Sequence, residues 1–429
     1  MQGRTLQYYC GVGPCNISML DINKIRENPE KVKEACEKKN FNCDIRAFLD
    51  IDRKKLDLMF KIENLRAKQK TLGKEQIEEA KKIKEEIKSL ELEFNPIREQ
   101  WIVMRQKFPN IPFDDAPVGK DDSENVVLRK VGKLPEFNFT PREHFQIAEE
   151  LGLIDIERAS KVAGSRFYFL KNQAVILEFA LINFAFEKLL EKGFIPIIPP
   201  VMILPELASL IGYIEDHPDQ ESYYIERDKL YLTATSEQSL GAMHQDETFN
   251  EKELPKKYVA FSTCFRREAG SYGKDTKGIF RVHQFDKIEM FVFCNPEESE
   301  KEHKNLLAIE EELIKALQIP YQVVNICTGD LGKPAAKKYD IESWMPGQQR
   351  YRETHSTSNC TDYQARGLEI RYTNKRGELN FVHTLNGTAF AIGRTLITIL
   401  ENYQQKAGSV KVPKALQKYA GFKVIKSKR

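Results

Sequence analysis

The sequence predicts an α+β protein: a long antiparallel helical hairpin, then a largely antiparallel sheet flanked by helices. Three observations carry that expectation. Apolar residues recur three and four apart from Asp44 to Phe108, in a stretch with one Gly and one Pro. A Pro-, Gly- and Asp-rich linker, Asp114 to Asn125, follows it. Beyond the linker, strand-like runs lie close together, many at hairpin spacing, among amphipathic helical stretches.

Residues 1–18 carry a single charge, Arg4, and lack a basic stretch followed by an apolar run. A secretory signal is therefore not expected, and a transit peptide has little support. The segment reads as a disordered extension or as an initiation site placed upstream of Met19, with Cys10 and Cys15 as bystanders. A short helix comes next, with Asn28 as its N-cap and Pro29 in its first position. In the first half of the hairpin, Leu58, Ile62, Leu65 and Leu72 form a seam that Gln69 interrupts. The second half runs through Ala80, Ile83, Ile87, Leu90, Phe94, Ile97, Trp101, Met104 and Phe108. Thr71-Leu72-Gly73-Lys74 marks the break between them. Pro96 falls in phase within the second run, where a missing N–H predicts a kink or two helices in line.

The hairpin holds 16 Lys and Arg against 13 Asp and Glu. Near its tip Arg66, Lys68, Lys70 and Lys74 have no close acidic neighbour in sequence before Glu75, which suits contact with a phosphate backbone. For the charges alone, an ordinary solvated helical face is the better account. After the linker, Leu177–Lys192 reads as an amphipathic helix. Strands are expected at Phe194–Ile198, Tyr258–Thr263, Ile288–Phe293, Tyr321–Ile326 and Ile370–Tyr372, with helices at Pro296–Leu317 and Arg394–Gln404. The expected division is an extension at 1–18, a helical arm at 19–118 and a mixed domain at 119–429.

Composition excludes several classes. Hydrophobic residues make up 41% of the 429, enough for a sizeable core. A formal net charge of +3 excludes a broadly basic coat, so any nucleic-acid contact must come from local patches. The apolar runs are too short to span a bilayer. Eight scattered cysteines without a C-x-x-C pair suggest neither a disulfide framework nor a structural zinc site. Reduced thiols in a cytoplasmic protein are expected. The strand-linked G-x-G-x-x-G and the G-x-x-x-x-G-K-[ST] are both missing, so Rossmann and P-loop nucleotide sites lack support.

Three constellations bear chemistry. Phe265-Arg266-Arg267-Glu268, a Gly-bearing loop, and Arg281-Val282-His283-Gln284-Phe285-Asp286-Lys287-Ile288-Glu289 read as two strands joined by a cationic loop. Arg266 and Arg281 could neutralise a polyphosphate through their planar forks. Phe285 could stack on a base, and Glu268 and Glu289 could accept hydrogen bonds. Thr384 to Leu396 reads as a strand entering a helix, with Gly387 and Gly393 allowing close backbone approach and Arg394 near free helical N–H groups. Gly193-Phe194-Ile195-Pro196-Ile197-Ile198-Pro199-Pro200 reads as an edge strand ending in prolines. Each alone is as readily structural: a charged hairpin, packing glycines, an edge strand.

In this order the three resemble the signature motifs of class II aminoacyl-tRNA synthetases. Longer runs are more specific: Phe265-Arg266-x-Glu268-Ala269-Gly270-Ser271, Val282-His283-Gln284-Phe285, Cys327-Thr328-Gly329-Asp330-Leu331-Gly332, Ser358-Asn359-Cys360-Thr361-Asp362-Tyr363-Gln364-Ala365-Arg366 and His383-Thr384-Leu385-Asn386-Gly387-Thr388. They resemble the seryl-tRNA synthetase family, bacterial type, over about Met19 to Phe422. The resemblance implies a class II antiparallel sheet of six or seven strands, a tRNA-binding coiled-coil arm and a homodimer built on the first motif. It implies ATP and Mg²⁺ as cofactors, and L-serine and tRNA(Ser), by extension tRNA(Sec), as substrates.

The resemblance also assigns roles. Arg266 and Arg394 become catalytic, Arg266 at the α-phosphate and Arg394 at the γ-phosphate. Arg267, Glu268, Phe285, Glu353, Thr354, His355 and Ser356 complete the ATP site, with Glu353 and Ser356 also at Mg²⁺. Thr235, Ser236 and Glu237 face the serine ammonium together with Arg266, and Glu289, Asn386 and Thr388 lie near its side chain. Arg66, Lys68, Lys70 and Lys74 would contact tRNA. The chain departs from the family at Ser236, where Ala is usual, and at Glu353-Thr354-His355-Ser356, which leaves His355 as an ATP contact or a surface histidine. The Leu210 to Glu226 stretch lacks the family's Gly-x-Gly-Gln-Leu-Pro run. Two other readings stay open: an adenylate-forming paralogue acting on a carrier protein, against which the full-length arm argues, and a non-catalytic coiled-coil protein, against which Arg266, Glu268, Glu289, Glu353 and Arg394 argue.

Overall fold

The computed structural model describes residues 19–73, 75–213, 222–268, 275 and 277–426. The N-terminal extension and Lys74 lie outside the described residues, as does most of the Gly-bearing loop. Helices α1 (Ile22–Glu27) and α2 (Pro29–Lys38) come first. Asn28 caps α2 by accepting from the Lys31 N–H at 3.2 Å, with Pro29 in the first position. The hairpin follows as α3 (Ile45–Thr71) and α4 (Ile77–Arg105), each about 40 Å long at 1.5 Å per residue.

Ile62, Ile83 and Ile87 are buried along the hairpin seam, and Leu65, Leu72, Leu90 and Phe94 pack on them. The root has its own cluster, in which Phe48, Trp101 and Phe108 pack with Ile25 and with Tyr363 from the C-terminal half. Asp52 is buried there and fully engaged. It accepts from Trp101 Nε1 at 2.8 Å and from both ends of the Arg26 fork at 2.8 and 3.0 Å.

The structure bears on two expectations for the hairpin. The second run is a single helix through Pro96 rather than two in line. One lost backbone bond is outweighed by seam residues that stay in phase on both sides of the proline. The tip cations are also less available than their sequence neighbours suggested. Arg66 pairs with Glu91 at 2.7 Å and Lys68 with Glu79 at 2.9 Å, both partners lying on the opposite helix.

The main sheet has eight strands: β1 (Val126–Val131), β2 (Ile195–Ile197), β3 (Lys256–Phe265), β4 (Gln284–Cys294), β5 (Tyr321–Asn325), β6 (Lys337–Met345), β7 (Arg350–Asn359) and β8 (His383–Ala391). Their order is β1-β5-β6-β7-β8-β4-β3-β2. All pairings are antiparallel except the edge strand β2, which runs parallel to β3. This exceeds the expected six or seven strands. Pro196 is tolerated in β2 because an edge strand can spare an N–H. The run at Ile370–Tyr372 is a strand, Arg371–Thr373, but belongs to a separate three-stranded sheet.

Helices α5 (Gln173–Leu190), α7 (Ser299–Ala316) and α8 (Ile392–Asn402) cover one face of the sheet, and the short α6 (Ser236–Ala242) lies on the other side of β3 and β4. Leu177, Leu181, Leu306, Leu313 and Ile399 pack there against Val292, Leu385 and Phe390. Strand alternation then sends every second side chain of β4, β7 and β8 to the opposite face. Among the described residues no helix is long and apolar enough to cross a membrane.

Candidate active site

That opposite face floors a cavity of about 790 Å³. Phe285, Lys287 and Glu289 from β4, Glu353, Ser356 and Ser358 from β7, and Asn386 and Thr388 from β8 line it. Arg266 enters just past the end of β3, and Arg394 enters from the first turn of α8. The register of the sheet makes the site. Glu289 lies directly opposite Thr388, and Ser358 opposite Asn386.

One end of the cavity is built for a nucleotide. The Arg266 guanidinium sits 5.3 Å from the centre of the Phe285 ring and donates to the Ala234 carbonyl at 3.3 Å. Glu268 has a positive φ of 52° and takes a 3.1 Å hydrogen bond from Arg281. Arg281 also donates to Asp275 at 3.3 Å, so it is engaged by carboxylates rather than held open for a phosphate. Two guanidinium groups lie over the Phe280 ring, Arg352 at 3.7 Å and Arg394 at 4.6 Å from its centre. Arg394 pairs with Glu353 at 3.0 Å. Burial works against the charge on Glu353, but Arg394 and Lys338 outweigh it and hold the carboxyl at about 2.

The other end suits a small zwitterion with a hydroxyl. Glu237 is buried at the start of α6 and accepts from Gln364 Nε2 at 2.8 Å and from the Tyr213 hydroxyl. A buried carboxylate ringed by neutral donors is a receptor for a cation. Glu289 takes Lys287 Nζ at 2.6 Å and the Thr388 hydroxyl at 3.2 Å on one oxygen.

Most of the expected residues converge here, but not all. Arg267 is exposed and does not line the cavity, because the backbone alternation that turns Arg266 inward turns its neighbour outward. Thr235 and Ser236 also do not line it. Thr235 is the N-cap of α6 and accepts from the Glu237 N–H at 3.2 Å, while the buried Ser236 hydroxyl has no hydrogen-bond partner among the described residues. Thr354 and His355 do line the cavity, although the Thr354 hydroxyl is taken by Ser343 at 2.8 Å and the Ile341 carbonyl at 3.2 Å. His355 is not a surface histidine. It is buried against Phe390, 5.7 Å between ring centres, with Nδ1 2.8 Å from the Thr354 hydroxyl. Burial keeps its ring neutral, at about 3. Sequence reasoning missed Tyr213, Lys287, Phe280, Arg352, Lys338 and Gln364.

The donors for a hard cation are present in part. Glu353 and Ser356 offer oxygens into the cavity, and the buried Asp340 Oδ1 beside them has no hydrogen-bond partner among the described residues. Among the described residues no cluster of three or more His, Cys, Asp or Glu could hold a metal alone. This fits an ion shared between a carboxylate and the phosphates of a substrate.

Burial raises Asp340 to about 7, with Lys338 opposing and Glu353 reinforcing the shift. Its folded value lies above the unfolded 3.8, so between those values the native state binds more protons than the unfolded state. Stability therefore falls as pH rises from about 4 to 7, by up to about 1.4 kcal/mol per pH unit from this group. Asp340→Asn should flatten that slope in urea titrations across the range, and an unchanged slope would remove Asp340 as its source.

Comparison with known proteins decides the family. The model of the seryl-tRNA synthetase N-terminal domain matches residues 19–112, and that of the class II core domain of the G, H, P, S and T tRNA synthetases matches 223–403. The serine–tRNA ligase of Dictyoglomus turgidum is 48% identical over 337 residues, 79% of each chain. The chain belongs to the seryl-tRNA synthetase family. Another family member, from Pyrococcus furiosus, is 51% identical over 340 residues, 74% of each chain. The crystal structure of the seryl-tRNA synthetase of Pyrococcus horikoshii complexed with ATP superposes with a TM-score of 0.89 at 42% identity. It covers 96% of this chain and 100% of its own. The resemblance, the class II fold and the enzyme class, a serine–tRNA ligase, are borne out.

Proposed function

We propose that the chain activates serine with ATP and transfers it to tRNA, using the cavity above β4, β7 and β8 for both steps. The observation that carries this reading is the pairing of the two ends: an Arg266–Phe285 shelf beside Arg394, and a Glu289–Thr388 pair beside the buried Glu237. A serine carboxylate oxygen attacks the α-phosphorus in line, and pyrophosphate leaves. The terminal ribose hydroxyl of the tRNA then attacks the carbonyl carbon of the adenylate, and AMP leaves. Neither step needs a nucleophilic side chain; catalysis comes from positioning and fixed charge.

Phe285 would lie under the adenine with Glu268 at its edge. Arg266 would hold the α-phosphate, and Arg394 would turn from Glu353 to the γ-phosphate. Glu353 and Ser356 would hold Mg²⁺, which supplies charge neutralisation on the departing pyrophosphate. Glu237 would take the serine ammonium. Glu289 and Thr388 would read the hydroxyl, with Asn386 beside them. A site built on that hydroxyl rejects the analogue lacking it by about 10⁴–10⁵-fold.

The family division supports a tRNA-binding arm at 19–118 and a catalytic unit at 119–429. Ile176, Phe179, Ile195 and Ile198 expose apolar surface along α5 and β2. A second copy of the chain covering that face would make the homodimer that the first motif implies. The arm would then reach a tRNA held across the partner and read the shape of its variable arm. Lys70 and Lys74 would join Arg66 and Lys68 there once their carboxylate partners yield to phosphate. The described cysteines, none of them paired in a disulfide, would suit a cytoplasmic location.

The test is charging of a serine tRNA transcript with and without its variable arm. Charging of the intact transcript, reduced 100-fold or more without the variable arm, is expected. Equal charging of both would remove the arm reading. As a check on the pocket, Glu289→Ala should raise KM for serine at least 30-fold with little change in KM for ATP, read by pyrophosphate exchange. Equal changes in both would move Glu289 out of the serine site.

A further inference from the structure

Lys39 is nearly the only lysine of the described arm that is not in water, at 3% exposed. It follows the last residue of α2, and Asn40 turns the chain there with a φ of 61° while the Phe41 N–H returns to the Cys36 carbonyl at 2.8 Å. That turn drives the Lys39 side chain into the other half of the molecule. Its Nζ donates to three carbonyls: Asn110 at 3.2 Å, Lys333 at 3.0 Å and Ala335 at 2.9 Å. An ammonium has three donors, and all three are used.

Asn110, in the segment that leaves α4, completes the grip. Its backbone N–H donates to the Lys333 carbonyl at 3.0 Å. Its side-chain amide donates to the Pro334 and Cys360 carbonyls, each at 2.8 Å. Every carbonyl from Lys333 to Ala335 is thus held by the root of the arm. The same three residues and Cys360 are wall residues of the cavity. They lie at the end where a Cβ on Gly212 would meet Pro334 at 3.5 Å, next to Tyr213 and the Glu237 carboxylate it serves. Burial pulls the Lys39 ammonium down to about 7.

We propose that Lys39, seconded by Asn110, is a positioning residue for the amino acid: it fixes the cavity wall at Lys333–Ala335 from the arm side, so the arm root and the serine end of the site move as one unit. The inference rests on the proposed serine site. It also gives the arm a way to reach the chemistry other than by placing tRNA. A displacement of α2 or of the segment after α4 is transmitted through backbone carbonyls, which cannot yield without losing their donors.

The test is pyrophosphate exchange with wild type, Lys39→Met and Asn110→Ala, varying serine and ATP separately, with thermal melts alongside. Lys39→Met keeps the length and removes every donor. Its KM for serine should rise at least tenfold while KM for ATP stays within twofold, and Lys39→Arg should recover part of the loss. Asn110→Ala should shift KM for serine in the same direction by about threefold, and it decides the matter alone if Lys39→Met does not fold. Serine KM unchanged in a folded variant, or serine and ATP KM rising together, would overturn the proposal. A wild type without serine-dependent exchange would instead overturn the functional reading, and this inference with it.

Discussion

Replacing Arg266 with alanine is expected to abolish measurable adenylate formation, lowering serine-dependent pyrophosphate exchange by at least about 10²–10³-fold. The guanidinium is held in place before any substrate arrives, by the Ala234 carbonyl at 3.3 Å and by the Phe285 ring at 5.3 Å. It therefore needs no reorganisation when charge develops on the α-phosphate. Its loss removes a fixed donor from a cavity whose remaining nearby cations are already engaged: Arg281 with Glu268 and Asp275, Arg352 with Asp275. The effect should fall on kcat more than on KM for serine, because the interaction strengthens in the transition state. Exchange surviving at more than a tenth of wild type would place the α-phosphate elsewhere.

Deleting residues 58–94 and closing the gap with a short glycine–serine loop should leave exchange within a fewfold of wild type and cut tRNA charging by 10³-fold or more. The physical basis is the separation of two cores. The seam at Ile62, Ile83 and Ile87 is a cluster of its own, distinct from the root cluster that includes Phe48, Trp101, Phe108 and Tyr363. Removal of the outer hairpin therefore exposes none of the root, and it spares the Lys39 and Asn110 contacts with the cavity wall. Loss of exchange in a folded deletion variant would mean that the outer arm supports the catalytic unit directly.

Local chemistry was legible in the sequence where one element carries it. Arg266, Phe285 and Arg394 announce themselves in short runs, and the hairpin follows from the three-and-four spacing of its seam. What depends on register was not legible. Lys287 lies two residues from Glu289, so strand alternation places both on one face, a signal that was available and went unread. Tyr213 and Gln364 come from distant segments and meet only at Glu237. Thr235 is ambiguous in sequence, because a hydroxyl before an acidic residue serves equally as a ligand and as a helix cap; the structure shows it capping. The pairing of Arg66 and Lys68 was hidden for a similar reason: Glu91 and Glu79 are far in sequence and adjacent only once the hairpin closes. Pro96 shows the limit of a local rule, since a seam in phase on both sides carries the helix through it.

Amino-acid-dependent exchange of pyrophosphate into ATP, with serine compared against threonine, alanine and glycine, tests whether this cavity activates serine. Exchange with serine alone is expected, followed by charging of a serine tRNA. Exchange with alanine equal to that with serine, or no exchange with any of the four, would contradict it.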